Sequence, residues 1–127
     1  MKEKQIVAFG GLRPTQNGAM HPVISYILKL TSKPQPKICF IPTATGDSAA
    51  AIVNFYDRFR EVNAEKSHLS LFNRTVKDIH GYLLNQDIIM VGGGNTANML
   101  AVWRTHGVDL VLREAWESGI ILCGGSA

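Results

Sequence analysis

Cysteine is nearly absent. Cys39 and Cys123 are the two in the chain, both lie inside apolar runs, and neither has a second cysteine or a histidine at metal-ligand spacing. That argues against a disulfide scaffold, fits a reducing compartment and leaves a zinc site unsupported, so neither a metal nor another cofactor is expected. Long apolar runs are missing too: no stretch approaches the roughly 20 residues that span a bilayer. The opening MKEKQIVAFGG holds too short an apolar run for a leader peptide. A soluble cytoplasmic protein with no membrane partner is the expectation. Charge of one sign is also scarce, since the net charge is +3 and the basic residues are scattered. Without a basic block, nucleic acid is not an expected partner.

Apolar residues are plentiful. They make up 46% of the 127 residues against 18% charged, which places the chain among folded proteins and gives it enough material for one core. A single α/β domain over 1–127 is the economical reading, because no linker, repeat or low-complexity tract divides it.

Five apolar runs read as strands: QIVAFGG at 5–11, KICFIPT at 37–43, HLSLF at 68–72, DIIMVGGG at 87–94 and GIILCGG at 119–125. Four of them are almost continuously apolar, as strands covered on both faces must be, whereas the third is weaker. Helical spacing fills the connections. Val23, Ile24, Ile27 and Leu28 form a stripe within 20–31, and Ile52, Phe55, Tyr56 and Phe59 form another, with Asp47 or Ser48 ahead of it as N-cap. Met99, Leu100 and Trp103 mark a helix at 95–105, and Leu110, Val111, Leu112 and Trp116 one at 108–117. The pattern predicts a doubly wound, mostly parallel sheet with helices on both faces.

In such sheets ligands bind beyond the carboxyl ends of the strands. Those ends are GGLRPTQNG, PTATGDS, GGGNT and GGSA. In GGGNT, Gly92, Gly93 and Gly94 leave backbone N–H groups open to an anion, and Asn95 or Thr96 can cap the next helix. A tight turn with no ligand explains the same residues. The spacing Gly92, Gly94, Ala97 also fits a dinucleotide fingerprint, but it follows the fourth strand and no acidic residue sits about 20 positions on at a strand end. In CGGSA, a serine after a buried strand and a glycine turn begins a nucleophile elbow, in which the hydroxyl is raised above the sheet. Helix capping is the other meaning of such a serine.

Taken in order and spacing, KICFIPTATGDS, DIIMVGGGNT and GIILCGGSA resemble the dipeptidase E and cyanophycinase family of serine peptidases, whose fold is similar to class I glutamine amidotransferases. The resemblance covers nearly the whole chain, and HPVISYILKLTSKPQPKICFIPTATGDS looks most like the bacterial peptidase E-like branch. It implies that Ser126 is the nucleophile and that the N–H groups of Ala127 and of the Gly93–Gly94 pair form the oxyanion hole. It also implies that Asn95 and Thr96 position a small peptide, an N-terminal aspartyl dipeptide in the best-known members. Arg13, after the first strand, is a further candidate for a substrate carboxylate, with a surface role as its alternative.

In that family the activating histidine and its acid lie downstream of the elbow, and Ser126 is followed here by Ala127 alone. A serine without a base is a weak nucleophile, so the chain by itself is expected to be inactive. His21 lies on the side of the sheet where a base would act, while His68, at the start of a strand, and His80 and His106, on helices, do not. A carboxylate at Ala127 would also oppose an oxyanion beside it. The expectation is therefore the N-terminal portion of a peptidase E-like domain, completed by the remaining C-terminal portion or associating as a homodimer. The alternative is a truncated, non-catalytic module that serves in folding or interaction.

Overall fold

In the computed structural model, which describes residues 2–11 and 20–126, the chain forms five parallel strands. These are β1 (Ile6–Ala8), β2 (Lys37–Ile41), β3 (Glu65–His68), β4 (Ile88–Val91) and β5 (Ile121–Gly124), paired in the order β1-β5-β4-β2-β3. The helices are α1 (Pro22–Leu30), α2 (Ala49–Arg58), α3 (Ile79–Leu84), α4 (Thr96–His106) and α5 (Val108–Glu117), and a 3-10 turn over Thr43–Thr45 follows β2.

Strand order decides which face each helix covers. From β1 through β2 to β3 the chain steps one way across the sheet, and from β3 through β4 to β5 it steps back. Parallel crossovers are right-handed, so opposite steps put their helices on opposite faces. The buried clusters follow that rule. Ile24 and Ile27 of α1 and Phe55 of α2 pack with Ile38, Phe40, Ile88 and Met90. Leu83 of α3, Trp103 of α4 and Leu112 of α5 pack with Cys39, Ile41 and Ile89 on the other face. Alternate strand residues thus serve opposite cores, as the period of two requires. The expected doubly wound, parallel α/β architecture is what forms.

Side-chain caps fix the starts of α1, α2 and α4. His21 Nδ1 accepts from the Val23 N–H at 3.1 Å ahead of Pro22, Ser48 Oγ from Ala51 at 3.3 Å and Asn95 Oδ1 from Asn98 at 2.9 Å. Such caps are worth about 1 kcal/mol each. Of the two residues expected to cap α2, Ser48 does so. Asp47, at φ 57°, instead accepts from the Leu71 and Phe72 N–H groups at 2.6 and 2.8 Å and ties the loop after β2 to the loop after β3.

One expectation needs correction. The third strand lies at Glu65–His68 rather than 68–72. It is an edge strand, for which β2 supplies the backbone partners, so it needs little apolar character of its own. The apolar residues Leu69 and Leu71 are buried anchors of the loop beyond it. The helix expected around His80 is α3, only six residues long, too short to display a helical period from which its bounds could be read.

Candidate active site

The strands β4 and β5 are neighbours in register, with Val91 opposite Gly124, so the loops GGGNT and GGSA emerge side by side. Ser126 sits at φ 64°, a left-handed conformation that costs a residue with a Cβ on the order of 1–2 kcal/mol. The packing around it holds that geometry. A Cβ on Gly125 would run into the Phe9 carbonyl, and one on Gly124 would lie 2.8 Å from the Val91 carbonyl oxygen. Ser126 is exposed while the two glycines before it are half-buried, so the hydroxyl is carried out at the end of a supported turn.

The facing loop is braced from beneath. Gly94, at φ 142°, lies against the Ala44 carbonyl, which also accepts from the Asn95 N–H at 2.8 Å. Thr43, only 1% exposed, accepts from Trp103 Nε1 at 3.0 Å and so ties the 3-10 turn to α4. Among the described residues no carbonyl accepts from the N–H of Gly93, Gly94 or Ser126. Unspent donors beside an exposed serine are what an anionic intermediate would need.

Beside Ser126 a cavity of about 250 Å³ opens between the sheet and α2. Phe9, Phe40 and Met90 line it from the sheet, and Asn54, Phe55 and Arg58 from α2. Phe40 and Phe55 stack at 4.8 Å with an interplanar angle of 7°, which makes this wall rigid and apolar. Sequence reasoning missed Asn54 and Arg58. The available signal was that positions 51, 54, 55 and 58 share one helix face, but nothing in the sequence marks what that face looks onto.

Of the residues singled out in advance, Ser126 and Gly93 come together and Gly94 joins them in the braced loop. Asn95 spends its Oδ1 and N–H on local bonds, leaving the two Nδ2 protons available, and Thr96 is exposed at the first turn of α4. Arg13 and Ala127 lie outside the described residues.

The histidines are not brought to the serine. His21 is engaged as the cap of α1 and does not line the cavity. His68 closes β3 rather than opening a strand, and its Nδ1 meets the Tyr56 hydroxyl at 2.7 Å. Two strands separate β3 from β5, which therefore lie roughly 14 Å apart, and Ser126 stands beyond the end of β5 as well. His80 pairs with Glu114 at 2.8 Å on the surface, and His106 ends α4. The cysteines offer no substitute nucleophile. Burial pushes the thiols of Cys39 and Cys123 up to about 12, so neither carries useful thiolate at neutral pH. No three His, Cys, Asp or Glu side chains converge as metal ligands among the described residues, and no described helix is long and apolar enough to cross a membrane.

Comparison with known proteins agrees with the fold. The family model for peptidase family S51 matches residues 6–127. The uncharacterized peptidase YgaJ of Bacillus subtilis (strain 168) is 43% identical over 124 residues, covering 98% of this chain and 54% of that protein. A crystal structure from Listeria monocytogenes EGD-e, which carries a provisional peptidase E designation, superposes with a TM-score of 0.64 at 24% identity. That match covers 79% of this chain and 52% of the other and speaks to the fold alone. The chain thus spans about half the length of the relatives it matches.

Proposed function

The chain belongs to peptidase family S51, and from that membership we propose that it carries the nucleophile half of a serine-type peptidase acting on small peptides, N-terminal aspartyl dipeptides among them. Ser126 Oγ attacks the scissile carbonyl carbon, and the carbonyl oxygen becomes an oxyanion. The N–H groups of the Gly93–Gly94 pair and of Ala127 stabilise it. Collapse expels the amine, which receives from the base the proton taken from Ser126, and leaves an acyl group on Ser126 that water, deprotonated by the same base, then removes. Asn95, through Nδ2, Thr96 and Arg13 hold the peptide. The base that takes the Ser126 proton comes from the part of the relatives' length that this chain does not span, or from a histidine of a second copy.

The observation that carries this reading is the left-handed backbone of Ser126 at the end of β5, beside the unspent donors of the β4 loop. A fluorophosphonate probe applied to the protein in a cell lysate, with peptide mass spectrometry to locate the adduct, tests it. Label on Ser126 supports the reading, and label that survives Ser126→Ala overturns it. A second reading, a non-catalytic module, rests on the placement of the histidines and is favoured if the folded protein takes no label at all.

A further inference from the structure

The cavity beside Ser126 has a polarity that selects what can enter. Of the sixteen described residues lining it, Arg58 alone is charged. Its guanidinium makes no ion pair among the described residues. The segment 12–19, LRPTQNGA, holds no Asp or Glu that could supply one. Phe9, Phe40, Phe55 and Met90 make the remainder largely apolar, with Asn54 as a neutral polar group.

A peptide has two unlike ends. Its amino terminus brings an ammonium group, for which the described lining side chains offer no carboxylate and which Arg58 repels. Its carboxyl terminus brings an anion that a guanidinium can hold with two parallel hydrogen bonds. At about 250 Å³ the cavity is residue-sized, below the usual range for drug-like ligands.

We propose that this cavity is a binding site for an apolar amino-acid residue bearing a free C-terminal carboxylate, with Arg58 as the group that recognises the carboxylate. The proposal rests on the peptidase reading for its meaning: the bound residue is the leaving part of the cleaved peptide. Arg58 then favours, by a few-fold, peptides that end one residue beyond the scissile bond. The bland alternative is that Arg58 only complements the last carbonyls of α2, a role that needs no ligand.

The test is a titration of the isotopically labelled chain with N-acetyl-leucine and, separately, N-acetyl-leucinamide, followed by NMR at the amides of Gly92, Gly93 and Gly125 and the methyl of Met90. The carboxylate is expected to bind about threefold to fivefold more tightly than the amide, the worth of a partly exposed ion pair. That preference should shrink as salt is added, a readout that needs no variant. In Arg58→Gln the two probes should bind equally, and in Arg58→Lys part of the preference should remain. Equal binding to the unaltered chain, absence of saturable shifts at those residues, or a preference that survives Arg58→Gln overturns the proposal. Probe binding does not depend on hydrolysis, so a Ser126 inert to phosphonate with the carboxylate preference intact sinks the peptidase reading and leaves the site standing.

Discussion

A Cβ built on Gly93 would stand 2.8 Å from the Cβ of Ser126 and 3.1 Å from the Gly125 carbonyl oxygen. The loop after β4 and the turn after β5 therefore meet with no room for a side chain between them. Gly93→Ala is expected to displace the Ser126 turn and lower stability by about 1–3 kcal/mol, as overpacking does. Urea denaturation measures the stability, and the rate of fluorophosphonate labelling measures the displacement. An unchanged midpoint together with an unchanged rate would show that the two loops are not in contact.

Gly94→Ala should be worse. Its φ of 142° disfavours any Cβ, and the new methyl would meet the Ala44 carbonyl that also accepts from Asn95. We expect a lower urea midpoint than for Gly93→Ala, and the reverse order would count against the brace.

Thr43→Val keeps the shape of the side chain but removes the acceptor of the buried Trp103 indole N–H. Leaving that donor unmet should cost about 1–3 kcal/mol. Thr43→Ser, which keeps the hydroxyl, should cost less. If the two variants denature at the same urea concentration, the hydrogen bond contributes nothing.

Asp87 gives the molecule a pH dependence. Burial acts to raise its pKa, but hydrogen bonds from Lys33 Nζ at 2.6 Å and the Lys37 N–H at 2.8 Å, with the charges of Lys33 and Lys2, outweigh it and leave the carboxyl below its ordinary value. A depressed folded pKa means stability that is present above the unfolded value of about 3.9 and is lost as pH falls through the folded one. Asp87→Asn should therefore denature earlier than the unaltered chain at pH 7, with the gap closing below about pH 4. A gap that stays constant down to pH 2.5 would contradict this.

Cys39 and Cys123, with thiols raised to about 12 by burial, should resist iodoacetamide at pH 8 in the folded chain. Both should alkylate readily in guanidinium. Rapid native labelling of either, read by intact mass, would show that its side of the core opens.

Much of the fold could be read locally. KICFI and DIIM are continuous apolar runs because β2 and β4 are interior strands buried on both faces, and each was placed correctly. Glu65–His68 was misplaced because an edge strand draws its order from a neighbour's backbone, which leaves no mark on its own side chains. The site divided along the same line. The strand, the glycine turn and the serine are consecutive, so GIILCGGSA announced Ser126; Arg58 and Phe55 lie far from it in sequence and carried no such signal.

The sequence by itself determined that this chain forms parallel strands separated by helices and that its serine stands at a strand end, since periodicity and glycine act over a few residues. Only the tertiary structure decided that Gly93 abuts Ser126, that α2 walls a cavity beside it and that His68 lies two strands too far away. Those relations follow from the order β1-β5-β4-β2-β3, which the reversal of direction at β3 imposes and which no local pattern encodes.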